Sequence, residues 1–75
     1  MTDKDRFDDP FDDPSLDATD RRIIELVAHG LTNPVIAEHL HLSHQTVRNR
    51  ITRIFDVTGV SNRTQLAVAW LGLNA

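Results

Sequence analysis

Apolar residues recur at helical spacing in four stretches of the 75-residue chain, separated by short polar breaks. In the first stretch Ile23, Ile24, Val27 and Ala28 share one face, with Arg21, Arg22 and Glu25 on the others. Asp17 stands where its side chain caps the amides of Thr19 and Asp20, and Asp20 lies near the positive end of the helix dipole. Gly30 follows as a stop, so an amphipathic helix of three turns is predicted. Thr32 opens a second helix as its N-cap, with Pro34 in the first turn, where a missing amide hydrogen costs little. Its buried stripe is Ile36, Ala37 and Leu40. Only His41 and Leu42 intervene before Ser43 caps a third helix, which runs through Thr58 to Gly59. A fourth begins near Ser61 or Asn62, where Asn62 and Gln65 have the spacing of a capping box, and runs to about Leu73.

The pattern predicts an all-α domain of four helices over residues 15–75, with a helix-turn-helix at about 33–56 and the fourth helix at about 62–73. Two short helices joined by so brief a turn must cross steeply, and Ala37 is small enough to let them approach. On the third helix Val47, Ile51, Ile54 and Phe55 fall on one side. Gln45, Arg48, Asn49 and Thr52 are thereby left together on the opposite side. A merely solvated helix face mixes Glu with Lys in supporting pairs, whereas this one carries no acid until Asp56. Arg can bond the O6 and N7 edge of guanine bidentately, Asn can do the same for adenine, and a Thr methyl can contact thymine. A polar helix face that follows a tight helical turn has the geometry of a recognition helix, so residues 43–56 are expected to enter the major groove of double-stranded DNA. Arg50 and Arg53 flank the reading face, toward the phosphate ridges.

The formal net charge of −3 argues against a nucleic-acid binder until the chain is divided. Residues 1–14 hold six Asp against Lys4 and Arg6, a net −4; residues 15–75 hold six Arg against five acids, a net +1. Arg48, Arg50 and Arg53 lie within one six-residue stretch free of acid, where the local field is expected to be positive. Residues 1–14 also carry a tandem repeat, Phe7-Asp8-Asp9-Pro10 and Phe11-Asp12-Asp13-Pro14. Its prolines and repelling carboxylates oppose helix and strand, and the segment is read as a disordered acidic arm. The alternative is a phenylalanine-containing binding motif.

Other chemistry finds little support. There is no cysteine, which excludes disulfides and thiolate metal sites and points to a reducing, cytoplasmic setting. His29, His39, His41 and His44 stand on separate helices and a turn, without acids at ligand spacing, so no metal and no cofactor is expected. Neither a nucleophile elbow nor a glycine-rich phosphate loop is present, and no enzyme is expected. The apolar run Leu66 to Leu73 is too short to span a bilayer, and no membrane association is expected.

The fourth helix is apolar on two sides. Leu66, Trp70 and Leu73 form one face and Thr64, Val68 and Leu71 nearly the opposite one. A domain this small encloses only one of them, so the other is expected to pair two chains, with Trp70 better suited to the core.

The segment Leu31-Thr32-Asn33-Pro34-Val35-Ile36-Ala37-Glu38-His39-Leu40 carries a resemblance, as do Leu42-Ser43, Thr46-Val47-Arg48-Asn49, Arg53-Ile54-Phe55 and Gly59-Val60-Ser61-Asn62-Arg63-Thr64-Gln65. In order and spacing these motifs resemble the LuxR/NarL-type (GerE-like) helix-turn-helix domain over residues 16–73. The resemblance implies a four-helix DNA-binding domain that regulates transcription, usually as a homodimer through its fourth helix. By position it implies base contacts from Arg48, Asn49 and Thr52, with Gln45 beside them on the same face, and phosphate contacts from Thr46, Arg50 and Arg53. Thr32 and Asn33, at the amide-rich start of the second helix, would lie against backbone phosphate.

The chain departs from the family pattern at Arg22 and Val35, where glutamates are usual, and at Asp56, where Lys or Arg is common. An acidic arm precedes the helices in place of a receiver or ligand-sensing domain, so a stand-alone regulator, bacterial and nucleoid-associated when bound, is expected. Two alternatives remain open from sequence. One is a protein-interaction module whose arm binds RNA polymerase or another regulator. The other is a promoter-recognition domain like sigma-factor region 4, against which Gly59 to Gln65 and the apolar fourth helix argue.

Overall fold

The computed structural model describes residues 10–73, and these form four helices and no strand. They are α1 (Ala18–Ala28), α2 (Asn33–Leu40), α3 (His44–Thr58) and α4 (Arg63–Leu73). The all-α architecture read from the apolar periodicity is the observed one.

Each helix end has a chemical cause. The Asp17 carboxylate accepts the Asp20 amide at 2.8 Å, and the Asp20 carboxylate accepts the Asp17 amide at 3.1 Å. The Asp17 side chain thus caps Asp20 alone rather than both Thr19 and Asp20, and the Asp20 carboxylate returns the bond in a reciprocal capping box. At the other end Gly30, at φ 87°, lets the Leu31 amide reach the Leu26 carbonyl while its own amide reaches Val27, a Schellman closure. A similar closure ends α2, where the Leu42 amide donates to Ala37 and the His41 amide to Glu38. Here the left-handed residue is His41, at φ 58° and ψ 42°. Ser43 caps α3 by accepting the Thr46 amide at 3.0 Å, and Gly59 at φ 78° ends it. Thr32 precedes α2 in extended conformation but makes no side-chain cap bond, leaving the first-turn amides of that helix open. At α4 the Asn62 side chain accepts the Gln65 amide at 2.9 Å, while the Gln65 side chain reaches past Asn62 to the Ser61 amide.

The helices pack in two pairs, α1 most extensively on α4 and α2 on α3, with α1 also crossing α3. Ile23, Ile24, Val27, Ile36, Ala37, Val47, Ile54 and Leu66 are buried at their meeting point. Burying each large aliphatic side chain among them contributes about 1.5–3 kcal/mol, and in a domain this small few can be spared. Leu26 joins this core and Ala28 is only half-buried, a small rotation of the stripe expected on α1.

The expected disordered arm over residues 1–14 needs correcting at its C-terminal end; residues 1–9 of it lie outside the described residues. Phe11 is 3% exposed and belongs to the core, its ring meeting Trp70 edge-on with centroids 5.2 Å apart. The chain then turns at Asp13, whose carboxylate accepts the Ser15 amide and whose carbonyl accepts the Leu16 amide, and Leu16 enters the core as well. Prolines and carboxylates exclude regular structure here, but a turn segment needs none. One aromatic side chain with a receptive surface to fill is enough to fold it down.

Candidate nucleic-acid interface

The core-facing side of α3 is Val47, Ile51 and Ile54, all buried, which fixes the rotation of the helix about its axis. Gln45, Arg48, Asn49 and Thr52 consequently stand exposed on the outer side, as the spacing predicted. They are already partly ordered. Gln45 donates to the Asn49 side-chain oxygen at 2.9 Å, and the Thr52 hydroxyl donates to the Arg48 carbonyl at 3.1 Å. Thr52 is thereby held against its own helix with its hydroxyl hydrogen engaged, whereas the Arg48 guanidinium makes no bond with any described residue.

Arg50 and Arg53 depart from the expectation of a field free of acid. The fold brings Asp17 and Asp20 of the α1 cap against α3. Arg50 donates to both oxygens of Asp17, at 3.1 and 3.2 Å, and to Asp20 at 2.9 Å. Arg53 pairs with the other Asp20 oxygen. Asp20 is fully buried, and its carboxylate is satisfied by the two guanidiniums and the Asp17 amide. A buried carboxylate is sustainable only when paired and hydrogen-bonded in this way. The acid-free run of Arg48, Arg50 and Arg53 is thus electrically neutralised at two of its three members, by residues some thirty positions earlier that no local window contains. The Asp17 carboxyl is held below the usual carboxylate range, first by the Asp20 amide it accepts and then by the Arg50 side chain. Asp20 and Asp17, in turn, raise the Arg50 guanidinium further into its charged form.

Both arginines retain donors. The bonds of Arg50 use only Nη1 and that of Arg53 only Nη2, so each fork keeps N–H groups for another acceptor. Beside them Thr46 and Asn49 complete a shallow concavity of about 310 Å³ along the flank of α3. Thr46, placed by sequence among the phosphate contacts, is half-buried there and accepts a hydrogen bond from the Ser43 hydroxyl at 2.8 Å.

Thr32 and Asn33 lie at the start of α2. Asn33 is not free: its side-chain oxygen accepts from Arg63 at 2.6 Å, and the same guanidinium donates to the Leu31 carbonyl at 2.5 Å. Arg63 therefore latches the first turn of α4 to the loop before α2. Sequence reasoning assigned this arginine no role, because nothing in its neighbourhood along the chain points to a partner thirty residues away.

On α4 Leu66 is fully buried and Trp70 half-buried, while Val68 is 64% and Leu71 51% exposed, with Thr64 exposed beside them. Trp70 is on the core side, and Thr64, Val68 and Leu71 form the outward face. Leu73, expected on the core face, is 49% exposed at the helix end. Among the described residues no group of histidines or acids has metal-holding geometry, and no helix is long and apolar enough to cross a membrane.

The protein is similar to several bacterial regulators. It is 40% identical over 58 residues to the DNA-binding transcriptional activator DevR/DosR of Mycobacterium tuberculosis, a match covering 75% of this chain and 27% of that protein. It is 43% identical over 54 residues to the transcriptional regulatory protein LiaR of Bacillus subtilis, covering 72% and 26%. To the probable HTH-type transcriptional regulator GfsR of Streptomyces halstedii it is 36% identical over 58 residues, covering 77% and 24%. The matched region is about a quarter of the length of these three relatives. No solved structure matches. The family model described as bacterial regulatory proteins, luxR family, matches residues 14–70, which takes in α1, α2, α3 and most of α4, and the chain belongs to that family.

Proposed function

We propose that this protein is a sequence-specific DNA-binding regulator of transcription that inserts α3 into the major groove. Arg48, Asn49, Thr52 and Gln45 meet base edges, and Thr32, Asn33, Thr46, Arg50 and Arg53 meet the sugar-phosphate backbone. The observation that carries the reading is the outer face of α3, where four exposed polar side chains follow a tight helical turn and the Arg48 guanidinium bonds no described residue. The two guanidiniums on its flank, each with spare donors, suit a phosphate rather than a base. The names of the relatives support the same reading.

The outward face of α4 supports a homodimer. Val68 and Leu71 are large, apolar and exposed on consecutive turns, and pairing them with a second copy removes that surface from water. The acidic arm as a docking motif for polymerase or another regulator is the weaker reading, because Phe11 is spent on the core.

Selection of bound sequences from a random pool of duplex DNA tests this function. A dimeric reader recovers inverted half-sites with centres about one helical turn apart. Recovery of unrelated single half-sites defeats the dimer, and recovery of no sequence above the starting pool defeats specific DNA binding.

A further inference from the structure

The carboxylate of Asp20 is fully buried. It lies on α1, outside the helix-turn-helix, yet its two oxygens engage two different side chains of α3. Arg50 and Arg53 are three residues apart and share one edge of the helix, and Asp20 holds each by one terminal nitrogen. Asp17 takes the remaining bonds of Arg50. Both arginines border the concavity completed by Thr46 and Asn49. Unanchored arginines sample many rotamers and pay entropy when they meet a ligand; these two are already oriented.

We infer that Asp20 is a positioning residue that joins Arg50 and Arg53 into one preformed clamp for a single phosphodiester of the DNA backbone, and that this clamp sets how α3 sits in the groove. The inference rests on the DNA-binding reading of α3. The chemistry favours a phosphodiester over a carboxylate-bearing peptide. Arg50, Arg53 and Thr46 line one edge of a helix whose adjoining face carries Arg48 and Asn49, so backbone and base edges are met by the same element. Because Asp20 neutralises much of the charge it organises, its contribution is to register more than to attraction. Phosphate contacts carry no sequence information themselves, but base contacts form only when they fix depth and rotation.

The distinguishing variant is Asp20→Asn, which keeps the size of the side chain and a carbonyl for the Asp17 amide while removing the charge that holds both forks. Binding is measured by fluorescence anisotropy over a salt series, using the duplex selected by the wild-type chain and a random duplex of equal length. The expected result is that preference for the selected duplex falls by about tenfold, the size of the cost of one mismatched base pair. Binding to the random duplex should be no weaker, since the freed guanidiniums still attract DNA. Asp20→Glu, which restores the charge, should retain the preference. A merely structural role for Asp20 weakens both duplexes together, and that outcome, or an unchanged preference, overturns the clamp while leaving the DNA reading intact. Should circular dichroism show Asp20→Asn unfolded, Arg50→Lys and Arg53→Lys replace it, since lysine keeps the charge but cannot bridge carboxylate and phosphate with one fork. Lost preference with the salt dependence retained then supports the clamp, and unchanged preference in both overturns it. Wild-type protein that binds neither duplex in a salt-dependent way overturns the DNA reading and the clamp with it.

Discussion

The ring of Phe11 meets Trp70 nearly perpendicularly, at 80° with centroids 5.2 Å apart, and so ties the segment before α1 to the last turns of α4. Edge-to-face aromatic pairs contribute about 0.5–1.5 kcal/mol beyond the area they bury. Phe11 lies outside the matched family region, which begins at residue 14. Phe11→Ala is expected to lower stability by about 3 kcal/mol or somewhat more, as for other buried Phe truncations. Chemical denaturation followed by Trp70 fluorescence checks it. A loss below about 1 kcal/mol, the size of an ordinary surface change, means that the ring contributes little to the fold.

His41 occupies the left-handed position that closes α2, at φ 58°. A residue with a Cβ is strained there by about 1 kcal/mol, which glycine avoids. His41→Gly is therefore expected to raise the thermal midpoint by about 4–8 °C, the usual equivalent of 1 kcal/mol in a domain of this size. The side chain is exposed and has no described partner, so nothing offsets the gain. A lowered midpoint contradicts the strain.

Arg48 and Arg50 differ in what their loss does. Arg48 is exposed and bonds no described residue, so Arg48→Ala should leave the midpoint unchanged and cost about 1–3 kcal/mol on the selected site, relaxing preference at one base pair. Arg50→Ala removes a partner of buried Asp20 and should lower stability as well as binding. Equal effects of the two substitutions on stability refute the division between reading face and flank.

Val68 tests the outward face of α4. Val68→Glu is expected to keep the helical circular dichroism, since the side chain is 64% exposed, while abolishing self-association, because the charge is desolvated only when two chains meet. Sedimentation at several concentrations decides; a mutant that still dimerises places the interface elsewhere.

The Asp17 carboxyl is depressed in the folded protein, so its contribution to stability is present above the unfolded value, about 3.9, and is lost as pH falls through the folded one. Asp17→Asn keeps a good N-cap but does not titrate. The difference in stability between wild type and this variant should be constant at neutral pH and shrink below about pH 4. A difference independent of pH down to 2 excludes Asp17 from acid unfolding.

Helix positions, caps and the two sides of α3 were legible in the sequence because they are local. Apolar spacing, Asp17, Ser43, Gly30 and Gly59 act within a few residues of themselves, and the rotation of α3 follows from Val47, Ile51 and Ile54 alone. The tertiary structure decided what depends on residues distant in the chain. Asp20 reads locally as a helix-terminal acid, and only the crossing of α1 over α3 makes it the anchor of Arg50 and Arg53. Arg63 stands in the Gly59–Gln65 motif without a local partner, and only the placement of α4 brings it against Asn33 and Leu31. Phe11 sits in a repeat whose charges and prolines oppose regular structure, and Trp70 offers it a surface that no sequence window contains. Periodicity encodes which side of a helix turns inward, whereas ion pairs and aromatic closures across thirty or more residues are settled only when packing brings their partners within a few ångströms.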